Sequence, residues 1–449
     1  MPATRHTSPE RDEPLIRDRG DACPGALRLH RADDGFLARL RLPGGRLTER
    51  QVEVLAAAAE DLGDGGVSIT SRGNAELRGL AEDCAAALAE RLAPVGLLPA
   101  PSHERVRNLV ASPAAGLDGL GHADAQLWVR ELDALLCAEP RAAALSGRFL
   151  FVLDDGRGDV AGLGGDVTLL AAEEPGAALL RVGARTLRIA AADAPRAALA
   201  AALAFLAAAE VAGNGAWRVR ELPAGTETGL VAALTAAGVP AEPVPDTHPD
   251  THPDAHPDTH PDTHPPAAPP LPPGHLGAHA LHVLAPLGRL TAAQLRGLLP
   301  AAEVRFTPWR GAVVVPHPHP HPHPDAGPEN RAAALTALAG LGLLTDPGAP
   351  GVGVTACTGR PGCGKALDDV RAVAAGTGPV TGPLIALPVH FSGCERRCGH
   401  PHGAWVDVLA LGDGAYQVDG APTPYDPDPD PSFEAFFETV AAARVPHTR

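Results

Sequence analysis

Four cysteines near the C-terminus have the residue type and spacing of a metal site. Cys357 and Cys363 are separated by five residues, Cys394 and Cys398 by three, and both pairs lie beside glycines. Two close pairs of thiolates can converge on one centre, and four thiolates satisfy a [4Fe–4S] cluster. Glycine next to a ligand lets the backbone approach the metal and adopt positive φ. The spacing therefore favours an iron–sulfur cluster.

A structural zinc ion and disulfide bonds are the alternatives for these thiols. Zinc prefers cysteine pairs about two to four residues apart, so the wider gap counts against zinc without excluding it. Disulfides would need an exported protein, and residues 1–20 are too polar for a signal peptide. A helix predicted from Gly364 to Gly376 would place its positive end next to Cys363.

The other three cysteines, Cys23, Cys84 and Cys137, have no comparable neighbours in the sequence. Cys84 lies in an alanine-rich helical stretch, where a cysteine is usually a small buried apolar residue. These three are therefore not expected to hold the cluster.

Composition limits the class of protein. The 449 residues are enough for two or three domains, and the net charge of −16 argues against nucleic acid as a partner. Arginine carries nearly all the positive charge, because Lys365 is the only lysine. The sequence has no apolar run of membrane-spanning length. A cytoplasmic protein that acts on a small molecule, with no nucleic acid or membrane partner, is expected.

Two low-complexity tracts interrupt the chain. Asp246–Pro265 repeats Pro-Asp-Thr-His, and His317–His323 alternates His with Pro. Proline at this density prevents helix and sheet and keeps a chain extended. The first tract is interpreted as a linker and the second as a loop insertion, since repeats need no packed core. Adventitious metal binding by the histidines is the alternative.

Deletion of Asp246–Pro265, with a short flexible span kept in its place, should leave the iron content and the activity unchanged. A proline-rich spacer contributes reach and stiffness and no ligands. Iron and acid-labile sulfide analysis of the deletion protein checks this. Loss of iron would show that the tract is a metal site.

The two sides of this linker resemble each other. Gly45-Arg46-Leu47-Thr48 has a counterpart in Gly288-Arg289-Leu290-Thr291, and threonine is the natural N-cap of the helix predicted after each. These helices are predicted to extend to Leu62 and to about Leu299. The predicted strands are Ala26–His30, Phe36–Leu42, Val67–Thr70, His279–Leu284 and Glu303–Thr307. The pattern indicates an α+β fold with pseudo-twofold internal duplication, in which helices pack on one face of antiparallel sheets.

Several motifs in this order resemble the sulfite and nitrite reductase superfamily over about residues 21–440. The matching segments are Arg39–Gly45, Thr70–Gly79, Arg107–Pro113, Gly147–Phe149, Arg305–Gly311 and the two cysteine pairs. The resemblance implies two ferredoxin-like lobes and a split α/β module around a [4Fe–4S] cluster and a tetrapyrrole. It suggests this division: 1–20 disordered; 21–95 lobe 1; 96–240 first half of the module; 241–274 Pro/His-rich linker; 275–345 lobe 2, with a His-Pro loop at 316–324; and 346–440 second half, with the cysteines.

The resemblance also implies which residues bind the tetrapyrrole, whose rim carries acetate and propionate groups. Arginine suits this task because its planar fork of donors matches a carboxylate and stays charged. The candidates on the matching segments are Arg39, Arg72, Asn74, Arg78, Arg107, Arg148, Arg305 and Arg310. Any one of these arginines could instead pair with a surface carboxylate.

Two positions depart from the reductases in this resemblance. Those enzymes have two lysines two residues apart on one strand, where this chain has Arg148 and Leu150. A glutamine of the tetrapyrrole motif is replaced by Glu76, for which the sequence suggests no partner. An apolar residue at position 150 suits an oxygenase better than an oxyanion-reducing site.

The resemblance is therefore greatest to the oxygen-dependent branch of the superfamily, in aerobic cobalamin biosynthesis. It implies O₂-dependent hydroxylation of precorrin-3A at C20 with γ-lactone formation, a mononuclear non-haem iron, and an external, NADH-linked electron donor. The alternatives are a sirohaem-dependent sulfite or nitrite reductase and a non-catalytic metal-storage protein. The sequence identifies no catalytic residue. His390, His400 and His402 are candidate iron ligands only because they lie near the cysteines.

Overall fold

The computed structural model describes residues 21, 23–244, 269–317, 328–377, 387–401, 404–424 and 431–444. Several expectations fall outside the described residues. These are the N-terminal segment 1–20, the tract Asp246–Pro265, positions 318–324 of the His-Pro loop, and His402.

The helices and strands alternate in two similar series along the chain. The strands are β1 (His30–Ala32), β2 (Gly35–Leu40), β3 (Arg46–Leu47), β4 (Gly66–Ile69), β5 (Ala75–Leu80), β6 (Leu109–Ala111), β7 (Phe151–Asp154), β8 (Val167–Ala171), β9 (Ala177–Val182), β10 (Arg185–Ala190), β11 (Ala241–Pro243), β12 (Gly274–Leu276), β13 (Ala280–Leu284), β14 (Arg289–Thr291), β15 (Glu303–Phe306), β16 (Gly311–Val315), β17 (Val354–Ala356), β18 (Val389–Ser392), β19 (Val406–Gly412), β20 (Ala415–Val418) and β21 (Ala421–Pro424). The α-helices are α1 (Glu49–Leu62), α2 (Ala85–Leu92), α3 (Ala125–Ala138), α4 (Ala194–Ala212), α5 (Leu230–Ala236), α6 (Ala292–Arg296), α7 (Pro328–Gly340), α8 (Val370–Ala375) and α9 (Pro431–Ala443).

Two antiparallel five-stranded sheets form the lobes, in the orders β1-β2-β5-β4-β14 and β12-β13-β16-β15-β3. Each sheet is completed by a strand from the other half of the chain. Leu290 of β14 lies opposite Val67, and Leu47 of β3 lies opposite Val304. The repeated Gly-Arg-Leu-Thr segments are these exchanged strands. The lobes consequently share one hydrophobic core, with α1, α2, α6 and α7 packed on the sheets.

The predicted helix starts in the lobes are confirmed. Thr48 and Thr291 are N-caps, and each forms a reciprocal capping box with a glutamine three residues later. Helix α1 ends at Leu62 as predicted, whereas α6 ends at Arg296, where Gly297 is the C-cap.

The split module contains two mixed sheets of similar construction. Strands β6, β7 and β8 are parallel and continue into antiparallel β9, β10 and β11. Strands β17, β18 and β19 are likewise parallel and continue into antiparallel β20 and β21. Helices α3 and α4 cover one sheet, and α8 and α9 cover the other. The duplication therefore extends to the module, where each half places loops at the carboxyl edge of three parallel strands.

Three boundary predictions are corrected. The first strand is His30–Ala32 and not Ala26–His30, because the backbone N–H groups of Ala26 and Leu27 donate to the Glu104 carboxylate. The helix after Cys363 begins at Val370, with Asp369 as its N-cap, so Cys363 does not lie at a helix terminus. The linker predicted from 241 to 274 includes the ordered strands β11 and β12 at its ends.

The expectation that no apolar run reaches membrane-spanning length is wrong for Ala191–Ala212, which is long and apolar enough by length and composition alone. In the structure the helix α4 packs on β8 and β9 and against α3, with Ala197, Ala201 and Phe205 buried. It is the core helix of the first half of the module.

Candidate metal centre and anion-binding site

The parallel strands β17 and β18 bring the two cysteine pairs together. Ala356 lies in register with Phe391, so Cys357 and Cys394 both follow the carboxyl ends of neighbouring strands. The Cys357 N–H donates to the Phe391 carbonyl (3.0 Å), and the Gly393 N–H donates to Cys357 Sγ (3.2 Å). A Cβ at Gly393 would lie 2.7 Å from the Ala366 Cβ, so only glycine fits there. The edge of the sheet thus holds one thiol of each pair.

Cys363 and Cys398 join them from the loops that follow. The Leu367 N–H donates to the Gly393 carbonyl (2.7 Å), which closes the Cys363 loop onto the end of β18. A turn at Arg397, whose φ is +46°, returns the chain so that Cys398 faces the same point. Burial raises the pKa of Cys398, and the charges of Cys357, Cys394 and Cys363 raise it further. The four thiols are therefore near enough to interact electrostatically.

The spacing of the thiols distinguishes among the possible centres. Four thiolates on one zinc ion would lie about 4 Å apart, because Zn–S bonds are about 2.3 Å long. Within the described ranges, three or more metal-ligating atoms approach to within 4.8 Å only at Asp154, Asp155 and Asp159. All seven cysteines are free, so the pairs are not disulfides. Four thiols that converge at a wider spacing fit a polynuclear iron–sulfur cluster.

Residues of lobe 1 form hydrogen bonds with the loop that carries Cys363. The turn between β1 and β2 gives Asp33, which accepts from the Gly364 N–H (2.5 Å), and Asp34, which accepts from Arg78 Nε (2.8 Å). Arg78 Nη2 also donates to the Gly362 carbonyl (2.8 Å). Arg78 therefore connects the tetrapyrrole motif of the sequence to the cluster loop.

Four of the candidate arginines are engaged by protein groups. Arg107, on the loop before β6, makes a two-pronged ion pair with Asp133 of α3, at 2.7 and 2.6 Å. Arg305 donates to Glu303 (2.5 Å) and to the carbonyls of Pro113 and Ala115. Buried pairs of this kind are costly to break, because the partner charge is left without compensation.

Glu76, whose partner the sequence did not indicate, lies between the other two engaged arginines. It accepts from Arg39 Nη2 (2.5 Å) and from Arg78 Nη1 (3.3 Å). A glutamate suits this position because it faces two guanidinium groups. Asn74 is also fully used, since it accepts from the Leu42 N–H (2.9 Å) and donates to Asn108 Oδ1 (3.0 Å).

The remaining candidates, Arg72, Arg148 and Arg310, have no carboxylate at ion-pair distance among the residues that the structure describes. Burial, and next the charge of Arg218, lower the pKa of Arg72 to about 10. The guanidinium of Arg148 lies over the Trp217 ring, 4.9 Å from its centroid. Arg310 Nη2 donates to the Gly399 carbonyl (2.6 Å). Burial lowers the pKa of Arg310, and the charge of Cys357 partly offsets this shift.

Arg41 is a further arginine near Arg72 and was not among the candidates from the sequence. It is 4% exposed, and its Nη1 atom has no hydrogen-bond partner among the residues that the structure describes. Burial and, next, the charge of Arg39 lower its pKa to about 9. The charge of Arg41 interacts electrostatically with Arg72 and Cys23. Cys23 also interacts with the charge of Arg148. Arg39 pairs with Glu76, whereas Arg41 follows the end of β2 at Leu40.

Histidine 390 lies on β18 beside the cysteines and is fully buried. Thr355 Oγ1 lies 2.9 Å from its Nδ1, and the Cys398 backbone also hydrogen-bonds to this imidazole. Burial, and then the charges of Arg310 and His400, lower its pKa to about 3, so the imidazole is neutral. His400 is exposed and stacks on Trp405, at 5.1 Å between ring centroids.

The first half of the module has carboxylates where the second half has thiols. Asp154, Asp155 and Asp159 follow β7, the counterpart of β18. Asp154 accepts four backbone N–H groups of its own loop, and Asp155 pairs with Arg157. Asp159 accepts from Ser112 Oγ (2.6 Å). These carboxylate oxygens accept hydrogen bonds from groups of the protein. The two halves of the module therefore share a backbone arrangement, but the first half does not share the metal site.

Asp159→Asn should stabilise the protein at neutral pH and have little effect near pH 4. Burial raises the pKa of Asp159 to about 7. The folded protein then binds a proton that the unfolded chain has lost, so stability falls from about pH 4 to pH 7 and is level above it. The variant should gain on the order of 2–4 kcal/mol at pH 8, since one pKa unit is about 1.4 kcal/mol. Denaturant titrations of both proteins at pH 4.5 and pH 8 measure this, and an equal gain at both values would contradict it.

Comparisons with known proteins agree with this geometry. The model of the nitrite/sulfite reductase ferredoxin-like half domain matches residues 28–95. In solved structures, the NirA protein of Mycobacterium tuberculosis superimposes with a TM-score of 0.63 at 18% identity, over 85% of this chain and 74% of that one. The fold is that of the sulfite and nitrite reductases, and the resemblance to this superfamily is confirmed.

Two curated relatives represent different members of the superfamily. A ferredoxin–nitrite reductase of Synechococcus elongatus is 35% identical over 128 residues, which is 27% of this chain and 25% of the relative. A precorrin-3B synthase of Sinorhizobium sp is 32% identical over 138 residues, 31% of this chain and 29% of the relative. The chain thus matches less than a third of the length of each.

Proposed function

We propose that this protein is a precorrin-3B synthase, which hydroxylates precorrin-3A at C20 with O₂ and forms a γ-lactone with the ring A acetate. One oxygen atom enters the product and the other leaves as water, with two electrons and two protons from an external donor. The likeness to the Sinorhizobium precorrin-3B synthase supports this function, and the likeness to nitrite reductases does not decide against it.

The environment of Leu150 is the observation that carries the proposal. Leu150 packs with Val110, Val152 and Val160, and Trp309 lies against this cluster. An oxyanion-reducing site needs cations that bind and protonate nitrite or sulfite, and the reductases have a lysine where this chain has Leu150. An apolar wall excludes water and polar anions, which suits the oxidation of an organic ring.

Arg41, Arg72 and Arg148 are proposed to bind the carboxylates of the tetrapyrrole. All three interact electrostatically with Cys23, and the charge of Arg72 lowers the pKa of Arg41, so a bound anion would offset this repulsion. Arg41 has a buried Nη1 donor without a partner in the described part of the chain, and the Arg148 guanidinium lies over the Trp217 ring. Charge-assisted contacts to a desolvated guanidinium are among the stronger hydrogen bonds in proteins.

Cys357, Cys363, Cys394 and Cys398 would hold the [4Fe–4S] cluster, which supplies one-electron transfer when bound. The structure leaves an approach for an electron donor, since a cavity of about 370 Å³ beside Cys394 is lined by Lys365, Leu367 and Leu411. A cytoplasmic, NADH-linked reductase is the proposed donor. A mononuclear non-haem iron for O₂ chemistry is part of the proposal.

A sirohaem-dependent nitrite reductase is the second candidate, favoured by the sequence identity to nitrite reductases. Anaerobically purified protein, a chemical reductant and ¹⁸O₂ distinguish the two. Precorrin-3B synthase should yield a product heavier by one labelled oxygen atom and no ammonia from nitrite. A sirohaem spectrum with nitrite-dependent ammonia formation would overturn the proposal.

A further inference from the structure

Two half-buried arginines near the cysteines, Arg310 and Arg371, have no part in the proposed anion site. Arg310 lies in the turn between β15 and β16 of lobe 2, and Arg371 lies in the first turn of α8. Neither guanidinium has a carboxylate at ion-pair distance among the residues that the structure describes. Asp369, the N-cap of α8, interacts with Arg371 only at longer range. Both positive charges are therefore left without an ion pair.

The backbone and two glycines hold Arg310 in place. Its φ is +61°, a left-handed conformation that residues other than glycine rarely adopt. The Gly311 N–H donates to Thr307 Oγ1 (3.0 Å), which closes this turn. A Cβ on Gly288 would lie 2.5 Å from Arg310 Cδ, and a Cβ on Gly399 would lie 2.7 Å from Arg310 Nη2. The side chain of Arg310 therefore fits only because both neighbouring segments have glycine, and a strained residue of this kind is typical of a functional position.

The guanidinium of Arg310 lies against the loop that carries Cys398. Its Nη2 donates to the Gly399 carbonyl (2.6 Å), one residue after this cysteine. The charge of Cys357 also interacts with Arg310. Arg310 is thus connected to one cysteine of each pair, by a hydrogen bond to the backbone beside Cys398 and by its charge to Cys357.

Arg371 interacts with Cys357 from a different element of the fold. Its Nη2 donates to the Leu287 carbonyl (3.2 Å), and its charge interacts with Cys357. Burial, and then the charges of Arg289 and Arg310, lower the pKa of Arg371 to about 10. Arg310 and Arg371 therefore repel each other and share Cys357 as a neighbour. A negatively charged centre at Cys357 would offset this repulsion.

We propose that Arg310 and Arg371 raise the reduction potential of the iron–sulfur cluster held by the four cysteines. A cluster with four thiolate ligands is an anion, and reduction adds one further negative charge. A nearby cation stabilises the reduced form more than the oxidised form, so the potential rises. The placement of the arginines stands on the contacts above, and the presence of the cluster rests on the proposed function. A raised potential makes the cluster easier to reduce by an external donor.

A potentiometric titration of the anaerobically purified, full-length protein tests this role, with the electron paramagnetic resonance (EPR) signal of the reduced cluster as the readout. Arg310→Asn removes the charge and suits the turn, because asparagine tolerates a left-handed backbone. In this variant and in Arg371→Gln, the ratio of reduced to oxidised cluster at a fixed potential should fall about tenfold, a shift of about 59 mV for one electron. Arg310→Lys keeps the charge and should retain most of the wild-type potential.

Arg360→Gln is the matched control. Arg360 lies on the loop of Cys363 and donates to a backbone carbonyl, that of Ala366 (2.8 Å), but its side chain is exposed. Solvent and salt screen its charge, so this variant should shift the potential less than Arg310→Asn does. If Arg310→Asn fails to assemble the cluster, Arg371→Gln decides. Wild-type potentials in both neutral variants, or an equal shift in Arg360→Gln, would overturn the role.

A role of Arg310 in tetrapyrrole binding gives a different result. Titration of Arg310→Asn with a uroporphyrin-type ligand should give the wild-type affinity, because the charge of Arg310 is assigned to the cluster. Weaker binding of this ligand at an unchanged potential would assign Arg310 to the anion site and overturn the proposal.

The outcomes for this role and for the proposed function are separate. Unchanged potentials in Arg310→Asn and Arg371→Gln, in a protein that oxygenates precorrin-3A, would overturn the role and leave the function. Lower potentials in both variants of a protein that reduces nitrite and does not oxygenate precorrin-3A would retain the role and overturn the function.

Discussion

Replacement of Cys394 by alanine is expected to abolish the cluster and with it all turnover of precorrin-3A. The four thiols converge from two strand ends and two loops, and removal of one leaves a corner that water cannot fill with equal softness or charge. Metal binding is coupled to the folding of the loops that supply the ligands. We expect the same loss for Cys357→Ala, Cys363→Ala and Cys398→Ala. Iron and acid-labile sulfide content, with the EPR spectrum of the reduced protein, measure the effect.

The remaining cysteines provide the controls for this experiment. Cys84 is buried in the shared core of the lobes, and Cys137 lies on α3 close to Arg107. Cys84→Ala and Cys137→Ala should keep a full cluster and lose at most some stability. Cys23→Ala should also keep the cluster, since Cys23 lies among the arginines. A full cluster in the Cys394 or Cys398 variant, or its loss from Cys23→Ala, would show that the ligand set is wrong.

Arg72→Ala and Arg148→Ala should each weaken tetrapyrrole binding by roughly 10- to 150-fold and leave the cluster spectrum unchanged. A charge-assisted hydrogen bond contributes about 1.5–3 kcal/mol, and about 1.4 kcal/mol is a tenfold change in Kd. Arg41→Ala should behave alike, because Arg41 is buried and interacts electrostatically with Arg72 and Cys23. Fluorescence or absorbance titration with a uroporphyrin-type ligand measures the affinity.

Two arginines distinguish ligand binding from structural support. Arg91 pairs with Asp61 on the surface of lobe 1, so Arg91→Ala should change neither affinity nor cluster. Arg107→Ala leaves Asp133 without its two-pronged partner and should lower the free energy of unfolding by about 3–5 kcal/mol. Wild-type affinity in both Arg72→Ala and Arg148→Ala would refute the assignment of the anion site.

Much of the fold was readable from the sequence because it depends on local chemistry. The N-caps Thr48 and Thr291 were visible from the hydroxyl and from the glutamine three residues later, since a capping box involves only four consecutive residues. The strand periodicity of the lobes and the repeat between the halves were visible for the same reason. The strand exchange was not, because which strand completes a sheet depends on contacts between residues far apart in the chain.

The sequence by itself determined the four cysteines, their pairing into two loops and the supply of arginines for an acidic ligand. Only the tertiary structure decided which arginines remain available. Arg107 and Arg305 are neutralised by Asp133 and Glu303, whereas Arg41 has a buried donor without a partner among the described residues. The charge of a side chain is fixed by its residue type. Its capacity to bind a ligand depends on whether it already forms an ion pair with a carboxylate from another part of the chain.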